Sequence, residues 1–332
     1  RSHRLSPLCV TLNINYRTAK FLLILLIFIL TCAIYGEYKS RGKPQPSSLV
    51  SENRKNKTRY ELIIVVISAP KNIAEREAVR RTWLADKYKN VKYFFAVGTL
   101  NAGTDLKDSL MTEDKLNHDL LLLPSIWDSY EALTKKVLQS FSRVHRDFDF
   151  DYILKCDDDS YVVIDRVLNE LNKRELDTTG EELYWGFFNG KAQVKKTGPW
   201  KEDDWIFCDF YIPYALGGGY VLSHRLVEFI AQNEDILRIY NSEDVSVGLW
   251  LAPLSNIERK HDVRFDTEYK SRGCSNQYII THKQTAESMN NIYQTYKASG
   301  ALCLNEIQHR NSYRYNWTVP PSKCCIREPG IP

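Results

Sequence analysis

The pattern of hydrophobic and polar positions predicts alternating strands and helices from about residue 60 onward. Residues 62–67 are a continuous aliphatic run of strand length, as expected for a strand buried on both faces. Ser68-Ala69-Pro70 ends the run, and the spacing over 72–84 predicts a helix. The alternation continues with strands over 93–97, 119–123 and 148–153 and with helices that end near 117 and span 128–144. This order predicts an α/β fold with a mostly parallel sheet.

The second half of the chain is less regular. It predicts a helix over 164–171, an aromatic segment over 183–188 and a helix to 251 with Ser242 as its N-cap. The adjacent glycines Gly217, Gly218 and Gly219 let a backbone or a ligand approach closely. Aromatic residues beside them suit stacking on sugar rings. The alternative is a tight turn with core aromatics.

The N-terminal segment contains an apolar run over 21–34, preceded by Arg17 and Lys20. We expect an uncleaved signal anchor here rather than a cleaved signal peptide, because no small-residue cleavage pattern follows the run. The predicted organisation is a cytosolic tail (1–20), a transmembrane anchor (21–36), a stem (37–59) and a luminal domain (60–332). Sequons at Asn56 and Asn316 predict glycosylation sites that agree with this placement.

Composition narrows the class of protein. The net charge of +4 does not indicate nucleic-acid binding. The chain lacks G-x-G-x-x-G after its first strand and lacks G-x-x-x-x-G-K-[ST], which argues against a dehydrogenase or a P-loop enzyme. In an oxidising compartment some luminal cysteines should pair, in a connectivity that spacing leaves open. Cys156, inside a predicted strand, is interpreted as a small apolar core residue.

The triplet Asp157-Asp158-Asp159 follows the predicted strand over 148–153. Adjacent carboxylates repel one another, and a divalent cation such as Mg²⁺ or Mn²⁺ would offset that repulsion with oxygen ligands. Ligands of open α/β folds also lie beyond the carboxyl ends of strands. The alternative is a solvated acidic turn in which Asp159 or Ser160 caps the following helix.

Two further positions carry candidate chemistry. Glu243 and Asp244 open a predicted helix, where acidic residues are ordinary partners of the helix dipole. His282 follows a short apolar run, where a lone histidine is usually a packed or surface residue. Context has to decide both cases.

Five motifs in this order resemble the β-1,3-glycosyltransferases of the Golgi, from residue 62 to the C-terminus. They are Arg76-x-x-x-Arg80-x-Thr82-Trp83, Asp128-Ser129-Tyr130-x-x-Leu133-Thr134-x-Lys136, Lys155-x-Asp157-Asp158-Asp159, Gly217-Gly218-Gly219-Tyr220 and Glu243-Asp244-Val245. The resemblance implies a single-pass type II Golgi membrane enzyme with a GT-A, Rossmann-like domain. Ala132 departs from the Asn of the family's N-L-T triplet, which leaves the role of that loop open.

A second set of residues is similar to the members of this family that extend the linker of glycosaminoglycans. It comprises 184–188, 214–223, 264–269, Cys324-Cys325 and 330–332. The resemblance implies inverting, Mn²⁺-dependent transfer of galactose from UDP-galactose in β-1,3 linkage to the galactose of Gal-β-1,4-Xyl on proteoglycan core proteins. The alternatives are a transferase of this fold that uses UDP-N-acetylglucosamine, a non-catalytic lectin or folding partner, and a nucleotide-sugar hydrolase.

The resemblance also implies residue roles. Asp244 is the expected catalytic base, and Asp159 and His282 are the expected Mn²⁺ ligands. The expected donor-binding residues are Arg76, Arg80, Asp128, Lys136, Asp157 and Asp158. The expected acceptor-binding residues are Trp185, Tyr214, Gly218, Gly219 and Glu243. For Arg80 the alternative is helix packing against a structural carboxylate.

Overall fold

A computed structural model of the protein describes residues 30–31, 57–175 and 180–332. Lys57–Pro332 forms one compact unit. The expected anchor over 21–36 lies outside the described residues except at positions 30 and 31, and Asn56 lies outside them as well. Within the described ranges, the helices are too short or too polar to cross a bilayer.

The unit is built on a seven-stranded sheet in the order β3-β2-β1-β4-β7-β6-β8. Its strands are β1 (Arg59–Ile67), β2 (Val91–Gly98), β3 (Leu120–Leu123), β4 (Asp149–Asp157), β6 (Glu182–Asn189), β7 (Tyr214–Ser223) and β8 (Ile257–His261). Strand β7 pairs antiparallel with β4 and β6, whereas the other pairs are parallel. The predicted α/β fold with a mostly parallel sheet is therefore confirmed.

Helices cover both faces of the sheet. They are α1 (Ile73–Arg81), α2 (Thr104–Asn117), α3 (Leu133–Asp147), α4 (Ile164–Glu175), α5 (His224–Gln232), α6 (Glu243–Leu251) and α7 (Ala286–Ser299). Alternate residues of β1 belong to two separate cores, with Ile64 packed on the side of α1, α4 and α7 and Val65 on the side of α3, α5 and α6. Burial on both faces explains the continuous aliphatic run over 62–67.

A small sheet in the order β5-β11-β9 lies beside the main one. Its strands are β5 (Tyr161–Val162), β9 (Phe265–Asp266) and β11 (Ile280–Thr281). Thr281 pairs with both Tyr161 and Asp266. Because β5 follows the acidic triplet and His282 follows β11, this pairing places His282 opposite the triplet.

The described cysteines include both disulfide-bonded residues and free thiols. Disulfides join Cys274 to Cys303 and Cys324 to Cys325, and the first links β10 (Gly273–Cys274) to the loop before β12 (Ile307–Gln308). Cys156 is a fully buried free thiol, as its position in a strand predicted. Asn316 is exposed, as a glycosylation acceptor must be.

Two local expectations differ from the structure. The helix expected over 128–144 spans Leu133–Asp147 instead, because the Asp128 carboxylate accepts hydrogen bonds from the Gly98 amide (3.0 Å) and from Lys136 (2.6 Å) and thereby holds a turn before the helix. Ser242 occupies the predicted N-cap position of α6, but its side chain makes no capping hydrogen bond.

Candidate functional site

A cavity of about 1030 Å³ opens at the edge of the sheet where β1 and β4 end and β7 begins. Strand β7 enters this edge because it runs antiparallel to β4, and the N-terminus of α6 reaches the same place. The cavity is lined by residues of the acidic triplet, the glycine run and the start of α6 (Asp157, Asp158, Asp159, Gly217, Gly218, Glu243, Asp244), together with His282 and Lys136.

Three side chains of this cavity form a cluster suited to a metal ion. The potential ligand atoms of Asp157, Asp159 and His282 all lie within 4.8 Å of one another. His282 Nε2 is 2.9 Å from Asp159 Oδ1 and 3.4 Å from Asp157 Oδ2. The other oxygen of Asp159 accepts a hydrogen bond from the exposed Lys283 at 3.2 Å.

The bonding of these atoms agrees with a cation site. Asp159 Oδ1 and both ring nitrogens of His282 are buried, and among the described residues none of the three has a partner in hydrogen-bonding geometry. Burial alone would lower the pKa of His282, but the carboxylates of Asp157 and Asp159 outweigh it and raise that pKa to about 9. Two carboxylates and an imidazole are a ligand set that a divalent cation fits.

Asp158 points away from this cluster. Its Oδ2 accepts a hydrogen bond from Asn72 at 2.9 Å, in the loop after β1. Burial, with the neighbouring Asp157 and Asp159, raises the pKa of Asp158 to about 6 in spite of that hydrogen bond. The structure therefore groups Asp157 with Asp159 and separates Asp158, whereas the resemblance grouped Asp157 with Asp158.

Asp244 lines the same cavity and is partly exposed. Its Oδ2 accepts a hydrogen bond from the Gly217 amide at 2.9 Å, and its Oδ1 accepts one from the Val245 amide at 2.8 Å. Burial raises the pKa of Asp244 above its usual value, against the opposing effects of Lys155 and the two amides. An oriented carboxylate of raised pKa in a cavity has the properties of a general base.

Lys155 lies beneath the cavity floor between the two carboxylate groups. Its buried ammonium donates to Asp157 Oδ1 at 2.9 Å, to the Gly217 carbonyl at 2.6 Å and to Glu243 Oε1. Burial would lower the pKa of Lys155, but Asp157 and Glu243 hold it above its usual value. The second oxygen of Glu243 accepts a hydrogen bond from Tyr220 at 3.1 Å. Both oxygens of Glu243 are thus occupied by the protein, which does not favour the expected contact with an acceptor.

The glycine run fits between these groups because it has no side chains. A Cβ at Gly217 would lie 2.5 Å from Glu243 Oε1, and one at Gly218 would lie 2.6 Å from His282 Nδ1. A Cβ at Gly219 would lie 2.8 Å from Ile280. The expected close approach to the glycine backbone is confirmed. The groups that approach it are side chains of the protein, namely Glu243, His282 and Ile280. Gly218 lines the cavity, whereas Gly219 packs behind it.

On the other side of the cavity, Lys136 and Asp128 form a polar pair next to the loop after β1. Lys136 donates to Asp128 Oδ2 and, at 2.7 Å, to the Ser68 carbonyl. Both residues line the cavity. Their position beside Asp158 and Asn72 agrees with the expected donor-binding side.

The structure does not bring Arg76 and Arg80 to the cavity wall. Arg76 is fully buried and forms a two-pronged ion pair with Glu113 of α2, at 2.7 and 2.6 Å. It also donates to the Ala69 carbonyl at 2.7 Å. Arg80 pairs with Asp119 and Glu113, which agrees with the alternative that Arg80 packs its helix against a structural carboxylate. Arg76 therefore supports the loop after β1 from behind, and neither guanidinium points at the site.

Of the aromatic acceptor candidates, the structure brings only one to the cavity within the described residues. Tyr214 lines it. Trp185 is fully buried in the core and donates to Asp262 Oδ2 at 3.0 Å. Strand β6 is separated from β4 by β7, and the Trp185 ring packs against Phe265 and does not face the cavity.

Sequence reasoning missed a group of aromatic residues at the cavity mouth. Tyr130 is 63 % exposed and Tyr269 is 72 % exposed. Trp200 stands between them, with ring centres 6.4 Å from Tyr130 and 6.1 Å from Tyr269. All three line the cavity. Trp200 lies in the irregular connection between β6 and β7, where no periodic pattern points to a role. Tyr130 belongs to the motif over 128–136, in which the resemblance implies roles only for Asp128 and Lys136.

Comparison with known proteins agrees with this geometry. The profile of the family described as Galactosyltransferase matches residues 74–263. The chain is 45 % identical over 312 residues to mouse beta-1,3-galactosyltransferase 6, with 92 % of each chain covered. It is 32 % identical over 237 residues to hydroxyproline O-galactosyltransferase GALT5 of Arabidopsis thaliana, covering 69 % of this chain and 34 % of the plant protein.

A more distant relative is mouse UDP-GalNAc:beta-1,3-N-acetylgalactosaminyltransferase 2, 28 % identical over 205 residues, with 62 % of this chain and 39 % of the relative covered. The names of these relatives share galactosyl or N-acetylgalactosaminyl transfer. The family match spans more than half of the chain and contains the acidic triplet, the glycine run and Asp244. The chain belongs to the galactosyltransferase family.

Proposed function

We propose that the protein transfers galactose from UDP-galactose to the 3-hydroxyl of the galactose in Gal-β-1,4-Xyl on proteoglycan core proteins, with inversion at the anomeric carbon. The observation that carries the proposal is a single cavity that is lined by both a metal-type cluster and Asp244. The similarity to beta-1,3-galactosyltransferase 6 over 92 % of both chains supports the galactose donor and the β-1,3 linkage.

In this proposal Asp244 accepts the proton of the attacking hydroxyl. The Gly217 and Val245 amides each occupy one of its oxygens, which fixes the plane of the carboxylate and leaves the second lone pair of each oxygen free. Its place in the first turn of α6 favours the ionised form. Burial opposes that and keeps the carboxylate basic.

Asp157, Asp159 and His282 would hold the divalent cation, which we propose is Mn²⁺. When bound there, the ion supplies neutralisation of the charge that develops on the departing diphosphate. Asp158, Asn72, Asp128 and Lys136 lie on the donor side, where Lys136 offers a positive charge and Asp158 an acceptor for sugar or ribose hydroxyls. These residues bind and orient the donor.

The acceptor is proposed to enter past Tyr130, Trp200 and Tyr269. Their rings stand at the mouth of the cavity, and large flat apolar faces suit the C–H face of a sugar ring. Tyr214 and the Gly218 backbone also line the cavity. We infer that the mouth contacts the sugar beyond the one that reacts.

Replacing Asp244 tests the proposed reaction directly. With UDP-galactose and a Gal-β-1,4-Xyl acceptor, Asp244→Asn should lower kcat by about 10²–10⁴-fold, because the amide cannot accept the proton. Release of UDP is the measurement, with Asp235→Asn, an exposed carboxylate, as the control. A variant within about threefold of wild type would refute the role of Asp244. Faster UDP release with UDP-N-acetylglucosamine would refute the donor, and release without acceptor would indicate a hydrolase.

The metal cluster can be tested without any sugar. Mn²⁺ titrated calorimetrically into Asp159→Asn or His282→Gln should bind at least about 10-fold more weakly than to the wild type, because each variant removes a ligand. Asp158→Asn is the matched control from the same triplet, and its Mn²⁺ affinity should stay close to wild type because Asp158 faces Asn72. Equal losses in all three variants would contradict the separation of Asp158 from the cluster.

If the aromatic residues at the cavity mouth bind the acceptor, replacing one of them should weaken acceptor binding and leave donor binding unchanged. Trp200→Ala should raise the acceptor KM by about 5- to 10-fold through the loss of roughly 1 kcal/mol of stacking, with the KM for UDP-galactose unchanged. Trp127→Ala is the control, since Trp127 is 59 % exposed and does not line the cavity. An acceptor KM equal in both variants and the wild type would remove Trp200 from the binding site.

A further inference from the structure

Lys155 is a fully buried cation that cannot serve a substrate. Its side chain has no exposed surface. An ammonium group has three N–H donors. All three are engaged, by Asp157, by the Gly217 carbonyl and by Glu243. A role for Lys155 must therefore act through these three partners.

The partners belong to three different elements. Asp157 is the last residue of β4, Gly217 lies in β7, and Glu243 is the first residue of α6. On the other side of the Gly217 Cα, the amide of the same residue donates to Asp244 Oδ2. Glu243 precedes Asp244 directly in the first turn of α6. Two routes thus connect Lys155 to Asp244, and one contact connects it to the metal-type cluster.

We propose that Lys155 is a positioning residue that ties Asp157 of the metal-type cluster to Asp244 by holding the Gly217 carbonyl and Glu243 in place. The inference rests on the proposed function for the roles of Asp157 and Asp244. These contacts set the separation between the metal-type cluster, which would face the leaving diphosphate, and Asp244, which would receive the proton. In-line displacement requires that separation to be constant.

Removing the ammonium would free both the Gly217 carbonyl and the Glu243 carboxylate, through which Lys155 is connected to Asp244. The Gly217 carbonyl would lose its 2.6 Å donor. The backbone dihedrals at the Gly217 Cα would then be less constrained, which would also loosen the preceding peptide, whose amide donates to Asp244. Glu243, whose side chain is 4 % exposed, would lose its counter-charge. A misplacement of a catalytic group by about 1 Å can cost roughly 10²-fold in rate. The effect should therefore appear in kcat.

The competing interpretation is that Lys155 only stabilises the fold as part of a buried ion pair. Removing one partner of such a pair leaves an uncompensated charge, whereas replacing both with neutral groups is often tolerated. The double variant Lys155→Met/Glu243→Gln removes both fully or nearly fully buried charges and leaves only Asp157, whose side chain is 30 % exposed. It therefore separates a loss of positioning from a loss of stability, even where Lys155→Met alone fails to fold.

The first measurement is kcat at saturating Mn²⁺, UDP-galactose and acceptor, for the wild type, Lys155→Met, the double variant and the control Lys297→Met. Lys297 forms an exposed pair with Asp86. We expect kcat to fall by about 10²-fold in both Lys155 variants and to stay at wild-type level in Lys297→Met. Saturation excludes weaker metal or donor binding as the cause. Recovery of wild-type kcat in a folded double variant would overturn the proposal.

The second measurement does not depend on the substrate. Hydrogen–deuterium exchange of the peptides that contain Gly217 and Val245 reports the two amides that donate to Asp244. In the folded double variant we expect exchange of the Gly217 amide to be about 10-fold faster than in the wild type. Unchanged exchange would overturn the positioning role. If the wild-type protein transfers no galactose, the proposed function is refuted. Faster exchange of the Gly217 amide in the double variant would still support the positioning role of Lys155.

Discussion

Repulsion among carboxylates is the constraint on which the site depends. Five of them meet at one edge of the sheet, namely Asp157, Asp158, Asp159, Glu243 and Asp244. Lys155 is buried between Asp157 and Glu243, Lys136 pairs with Asp128 beside the triplet, and His282 faces the triplet. Each cation comes from a different element, so the acidic edge is stable only when β4, α3 and the loop after β11 are assembled around it.

Strand order turns this constraint into a site. Because β7 runs antiparallel to β4, its N-terminal half enters the edge where β4 ends, and the pairing of Cys156 with Gly219 brings the glycine run against the triplet. Side chains at Gly217 or Gly218 would collide with Glu243 or His282. The backbone amide and carbonyl of Gly217 are thereby available to Asp244 and Lys155. The glycines leave room for the protein's own polar side chains as well as for a ligand.

Local features of the fold and site could be predicted from the sequence, and long-range pairings could not. The aliphatic run of β1 and the alternation of strands and helices followed from the hydrophobic pattern, and the nearness of His282 to the triplet was implied by the family resemblance. The partners of Arg76 and Glu243 did not, because Glu113 and Lys155 are distant in the chain and nothing local marks either pairing. Trp185 was misplaced for the same reason, since its strand's position in the sheet is not a local property.

The proposed function requires that Asp244 and the metal-type cluster act together in a single displacement. The most direct test is the structure of the disaccharide linkage made from UDP-α-galactose and Gal-β-1,4-Xyl, determined by proton NMR. We expect a β-configured galactose on the 3-hydroxyl of the acceptor galactose, because a single displacement attacks the α anomeric carbon from the face opposite the leaving diphosphate and inverts it. An α-configured product would contradict a single in-line displacement, and with it the role assigned to Asp244.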